Sequence, residues 1–173
     1  MANVTLNAAL LVAAAAAATS SAHAGTPQYD IIDLGVVSAG DAVQGNGISS
    51  DGTTAVGRTL GSNSAFSWTA GGGLVGLPKL PTHGYATATG ASNSGMVVGT
   101  ATTTFFGSSP LPVMWQGGAI TQLPLPAGET FGRAFGVNNG GTAVGSVGSG
   151  VTEFGVMYAG GSASVITTAA GDG

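Results

Sequence analysis

The chain has 173 residues, with three basic and seven acidic side chains, a net charge of −4, 32 glycines and no cysteine. So few cations cannot neutralise a phosphate backbone, which excludes nucleic acid as a partner. The lack of cysteine removes disulfides, thiol catalysis and thiolate metal sites. The length suits one domain with a sizeable core, and an apolar composition rich in glycine and β-branched residues favours short strands over long helices or disorder.

The N-terminus reads as an export signal. Ala8 to Ala18 is an apolar run too short to span a bilayer. Thr19-Ser20-Ser21 follows, then the small-residue site Ala22-His23-Ala24. Cleavage is expected between Ala24 and Gly25, although Met1 to Asn7 carries no Lys or Arg. No second apolar stretch in 25–173 is long enough to cross a membrane, so a secreted or cell-surface location is expected. Tyr29 to Leu34 then reads as a lone strand.

One phrase follows three times. It runs from Ile48 through Ser49-Ser50-Asp51-Gly52 to Val56-Gly57, from Ala91 through Ser92-Asn93-Ser94-Gly95 to Val98-Gly99, and from Val137 through Asn138-Asn139-Gly140-Gly141 to Val144-Gly145. An apolar residue, a small polar turn with Gly and a short Val-rich run predict a tight hairpin. The closing valines lie 42 and 46 residues apart. An aromatic follows each, at Trp68, Trp115 and Tyr158, spaced 47 and 43, and the three are expected at equivalent, largely buried places on the third strand of each repeat. Beyond it come a Gly-rich turn and a fourth run: Leu74 to Leu77, Ala119 to Leu123, and Ala163 to Ile166. Four short strands in a period of about 40–45 residues predict an all-β fold of β-propeller-like blades. The repeats cover about 41–81, 82–126 and 127–173. A β-solenoid is the alternative, but its coils repeat every 20–30 residues or so.

With these phrases the chain resembles the HAF-repeat family of bacterial extracellular proteins, which often carry a C-terminal sorting signal of the PEP-CTERM type. Ser92 to Gly99 and Val137 to Gly145 match the middle of the family phrase, and Ser64-Ala65-Phe66-Ser67-Trp68 its end apart from an initial His. The corresponding positions are Ser64, Leu111 and Phe154. The resemblance implies an exported, propeller-like repeat protein and no defined activity.

The residues themselves offer little chemistry. His83 is the one histidine after Ala24, and Asp30, Asp33, Asp41, Asp51, Glu129, Glu153 and Asp172 are scattered. That pattern lacks the acid–base pairs of a hydrolase, the ligands of a zinc site and the dense oxygens of a calcium loop. Asp51 reads as a turn residue. No catalytic residue, metal ligand or cofactor is therefore expected. The stretch before the aromatic is longest in the second repeat, 16 residues against 11 and 13, and holds Phe105 and Phe106. These rings either pack on the adjacent blade or, with His83 and Tyr85, offer a binding surface to a sugar or apolar partner.

The expected function is a non-catalytic extracellular structural or binding module for an unknown protein or polysaccharide. The alternatives are a lectin-like carbohydrate-binding module using aromatics such as Phe105, Phe106, Tyr85 or Trp115 and, more remotely, a propeller-fold hydrolase. Three blades fall short of the four or more that close a ring. Either the chain is part of a longer protein, or copies self-associate through open blade faces.

Overall fold

A computed structural model describes residues 30–105, 107 and 109–167, and the described residues from Asp33 on form one compact unit. The export signal, with Ala22, Ala24 and Gly25, lies outside the described residues, as does Phe106.

Among the described residues twelve strands form three four-stranded antiparallel sheets. The first contains β1 (Val43–Ile48), β2 (Thr54–Thr59), β3 (Ala65–Thr69) and β4 (Gly73–Gly76). The second contains β5 (Tyr85–Ala91), β6 (Val97–Thr102), β7 (Leu111–Gln116) and β8 (Ala119–Gln122). The third contains β9 (Phe131–Val137), β10 (Ala143–Ser149), β11 (Thr152–Ala159) and β12 (Ser162–Val165). Each is a simple meander in chain order. The sheets stack face to face in an open, propeller-like arrangement with no closed barrel. Among the described residues no helix is long and apolar enough to cross a membrane.

The phrase builds the same corner in each sheet. Gly52, Gly95 and Gly141 hold φ of 74°, 80° and 83° in the turn from first to second strand. Their amides donate to the carbonyls of Ser49, Ser92 and Asn138 at 2.9, 3.2 and 3.1 Å. The later turns, Gly117-Gly118 and Gly160-Gly161, join third to fourth strand with φ > 0 at both central positions, the backbone that a two-residue hairpin needs.

The closing glycines have a different cause. Gly57, Gly99 and Gly145 face a first strand that bulges beside them, at Asn46, Thr89 and Phe135. A Cβ there would overlap the carbonyl oxygen of Gln44, Thr87 or Arg133. The bulge presses one backbone onto the next, and only Gly leaves room.

The core lies between sheets rather than within one. Val56 and Ala65 of the first sheet meet Ala86, Ala88, Val97, Val113 and Trp115 of the second. Val98 of the second meets Ala134, Val147, Val156 and Tyr158 of the third. The alternation of strand side chains gives each sheet one face toward its predecessor and one toward its successor. Full burial of Val56 or Val98 is worth about 1.5–3 kcal/mol.

Two expectations need correction. The lone strand is absent among the described residues: 30–36 carry no strand pairing, and Ile31 is fully exposed. The chain instead lays Val37 against Gly76 of β4, 3.3 Å from where a Cβ would stand there. The three aromatics do sit at equivalent places on β3, β7 and β11, but only Trp115 and Tyr158 are buried. Trp68 is half-buried, because it points to the side on which no sheet precedes the first.

Candidate functional site

The rings predicted to bind are partly brought together. Tyr85 opens β5, and Phe105 sits in the long loop between β6 and β7. Their ring centroids are 5.9 Å apart in an edge-to-face contact, at 66°. The guanidinium of Arg58, on β2 of the preceding sheet, lies 5.2 Å from the Phe105 centroid. Arg58 Nε also donates to Gln44 Oε1 at 2.9 Å. The loop therefore folds back across the joint between two sheets, although Phe105 keeps 43% of its surface exposed. The cavity beneath, lined by Arg58, Thr59, Asn63, Tyr85, Thr102 and Phe105, holds about 30 Å³, the space of one water molecule. This corner is a brace with one exposed ring.

His83 stands apart from that corner. Its ring Nδ1 is 3.0 Å from the Thr82 hydroxyl, and its amide donates to Leu80 O at 2.9 Å. Beside it Lys79 Nζ donates to Ser62 O and Gly84 O at 2.8 and 2.9 Å, tying the linker to the first sheet. Among the described residues no hydrogen bond joins His83 to a carboxylate.

The carboxylates have structural work. Asp51 Oδ1 accepts from the Ser49 hydroxyl at 2.6 Å and from Thr53 N at 3.1 Å, which closes its turn. The same bonds hold its carboxyl below the usual range. Asp41 accepts from Gly61 N at 2.6 Å and the Ser62 hydroxyl at 2.8 Å, clamping the loop between β2 and β3, and is likewise held low. Glu153 is lowered by the Ser146 hydroxyl and by Arg133, with which it pairs at 2.8 Å. That pair is exposed and contributes little stability. Among the described residues no three His, Asp or Glu side chains gather as metal ligands.

A larger concavity runs along the first strands of all three sheets. It encloses about 500 Å³, and its lining includes Ile48, Ser50, Thr89, Ser92, Phe135 and Asn139, with no charged side chain. The sequence reading missed it, because its wall is assembled from three repeats. The signal that leads there is the polar pair in each turn. Asn93 Oδ1 accepts from the Ser50 hydroxyl and Asp51 N of the preceding turn, at 2.9 and 3.2 Å. Asn139 Oδ1 accepts from Asn93 N at 2.8 Å. The bulge residues cross the same joints: Asn46 Nδ2 donates to Ala88 O at 3.0 Å and Thr89 Oγ1 to Ala134 O at 2.6 Å. The repeated polar residues thus stitch one sheet to the next. A neutral groove with such a wall can hold an uncharged polar or apolar group, and it has no side chain to move a proton.

Compared with protein-family models, curated proteins and solved structures, the chain matches none.

Proposed function

We propose that the chain is an exported, non-catalytic repeat protein of the HAF type that serves outside the cell as a structural or binding module. One observation carries this reading. The polar side chains that recur with the repeat, Asn46, Thr89, Asn93 and Asn139, are engaged from sheet to sheet, and Asp41 and Asp51 are engaged within loops. The repeated motif is chemistry for stacking, and the joints it makes support a stiff platform. Export rests on Ala8 to Ala18 and the Ala22-His23-Ala24 site.

The carbohydrate-binding reading has the exposed Phe105 in its favour, but the adjoining cavity admits no sugar ring. A glycan array and a panel of chromogenic hydrolase substrates, run on secreted protein, test the choice. The module reading predicts no saturable glycan binding, no turnover and an N-terminus at Gly25. Glycan binding lost in Phe105→Ala would replace it with the lectin reading. Turnover lost in His83→Ala would replace it with the hydrolase reading, and secreted protein still beginning at Met1 would refute the cleavage.

A further inference from the structure

Among the described residues the two ends of the stack are open, and they are open in complementary ways. Val144 is the third copy of the closing valine. Val56 and Val98 are fully buried by the sheet that follows them, whereas Val144 is 47% exposed. Beside it Met157, its partner across the β10–β11 ladder, and Phe135, the bulge residue of β9, are exposed as well. At the other end Ile48 is 64% exposed, while Ala91 in the same position of the second sheet is buried. Trp68 is half-buried on that same face.

The glycine after each bulge says what covers the Val144 face. A Cβ on Gly47 would strike the Thr89 carbonyl of the next sheet, and one on Gly90 would meet Phe135 O at 2.6 Å and Gly136 Cα at 2.9 Å. Gly136 is the third of this set. It has no positive φ, and its nearest neighbour would be Val144 Cγ2 of its own sheet at 3.7 Å. Nothing within the described chain requires glycine there. The first strand of a following sheet would require it, as it does at Gly47 and Gly90.

The first sheet of this same chain has the matching shape. Asn46 and Thr89 reach the carbonyls of Ala88 and Ala134. The residue at that position in the first sheet is Gly45, exposed and with nothing within 4 Å of where a Cβ would stand. The largest bulge side chain, Phe135, and the smallest facing residue, Gly45, occupy the two open ends. Ser50 stands where Asn93 and Asn139 stand in the later turns, and its hydroxyl can accept a hydrogen bond as their amide oxygens do.

We infer that a second copy of this chain docks head to tail, its first sheet against the Val144 face of the third. The contact repeats the two joints inside the chain, so it is heterologous and closes only as a ring. Propellers hold about four to eight blades, and six is the one multiple of three in that range. Two copies of the three described sheets therefore complete the ring. The inference needs the fold alone and does not depend on the function proposed above.

Light scattering with thermal melts, on the purified chain and on Gly136→Ala and Val144→Lys, tests it. Both substitutions lie on the open face and leave the joints inside the chain intact. The wild type is expected at twice the protomer mass. Both variants are expected at the protomer mass, a twofold drop, with the melt still cooperative. Gly47→Ala is the internal control: at the equivalent but covered position it should lower the melting temperature. A cooperative wild-type melt at the protomer mass would overturn the inference. So would a dimer that both variants leave intact. Longer assemblies dissolved by both variants would support the contact and overturn closure at six sheets.

Discussion

Trp115→Ala probes the joint between the first and second sheets, and Trp68→Ala supplies its matched control. The two residues hold the same place on β7 and β3 but differ in surroundings. Trp115 is 2% exposed, packed among Val56, Ala65, Ala88 and Val97, and its indole Nε1 donates to Pro78 O at 2.8 Å. Truncation of such a ring leaves a cavity and typically costs about 3–5 kcal/mol. For a chain of this size each 1 kcal/mol moves the melting temperature by about 2–4 °C, so a fall of about 6–20 °C is expected. In the protomeric Val144→Lys background, where nothing covers the outer face of the first sheet, Trp68 has lost less water on folding, and its truncation should cost less than half as much. Trp115→Phe keeps most of the volume and deletes the donor, so it should fall between wild type and Trp115→Ala, at about 1–3 kcal/mol. Calorimetric or circular-dichroism melts read all three. Equal losses for Trp68→Ala and Trp115→Ala in that protomeric background would refute the placement of the core between sheets, as would a melt unmoved by Trp115→Ala.

Gly99→Ala should be among the most damaging single changes. Its Cβ would overlap Thr87 O and stand 2.9 Å from Ala88 Cα, both backbone, so the β5–β6 ladder must shift at a cost of about 1–3 kcal/mol or more; a melt unchanged from wild type would contradict the close contact at the bulge. Tyr158 adds a pH dependence: burial pushes its hydroxyl up to about 12 from 10.0, so the folded chain keeps a proton that the unfolded chain releases. Stability from this site is full below pH 10 and declines as pH rises toward 12. Melts across that range should show the decline in wild type and a shallower one in Tyr158→Phe; identical slopes would rule out the phenol as its source.

The elements readable from the sequence were those whose constraints are local. A Gly at φ near 80° three residues after a Ser or Asn that opens the turn marks a hairpin, and a side chain alternates faces along any strand, so the phrase, the aromatic on the third strand and the fourth run all fell into place. Burial of a given copy is not local. Val56 and Val144 share a motif, yet one has a sheet beyond it and the other does not. Ile31 and Ile32 look like strand residues, but pairing needs an available edge that their own sequence does not describe. The bulges were invisible because Asn46, Thr89 and Phe135 share no chemistry, although the glycines opposite them were in plain view. For the candidate site, Tyr85 and Phe105 were among four candidates with Phe106 and His83, whereas Arg58 entered from another repeat. The groove along the first strands was missed for the same reason.

The repeated polar residues join one sheet to the next. Hydrogen exchange at the Asn93 amide tests it most directly, since that amide lies in an exposed turn and its acceptor, Asn139 Oδ1, belongs to the following repeat. Asn93 N–H should be protected in the wild type and become fast-exchanging in Asn139→Ala. The Gly95 amide, which donates within its own turn to Ser92 O at 3.2 Å, should be unaffected. Fast exchange at Asn93 in the wild type, or protection that survives Asn139→Ala, would contradict it.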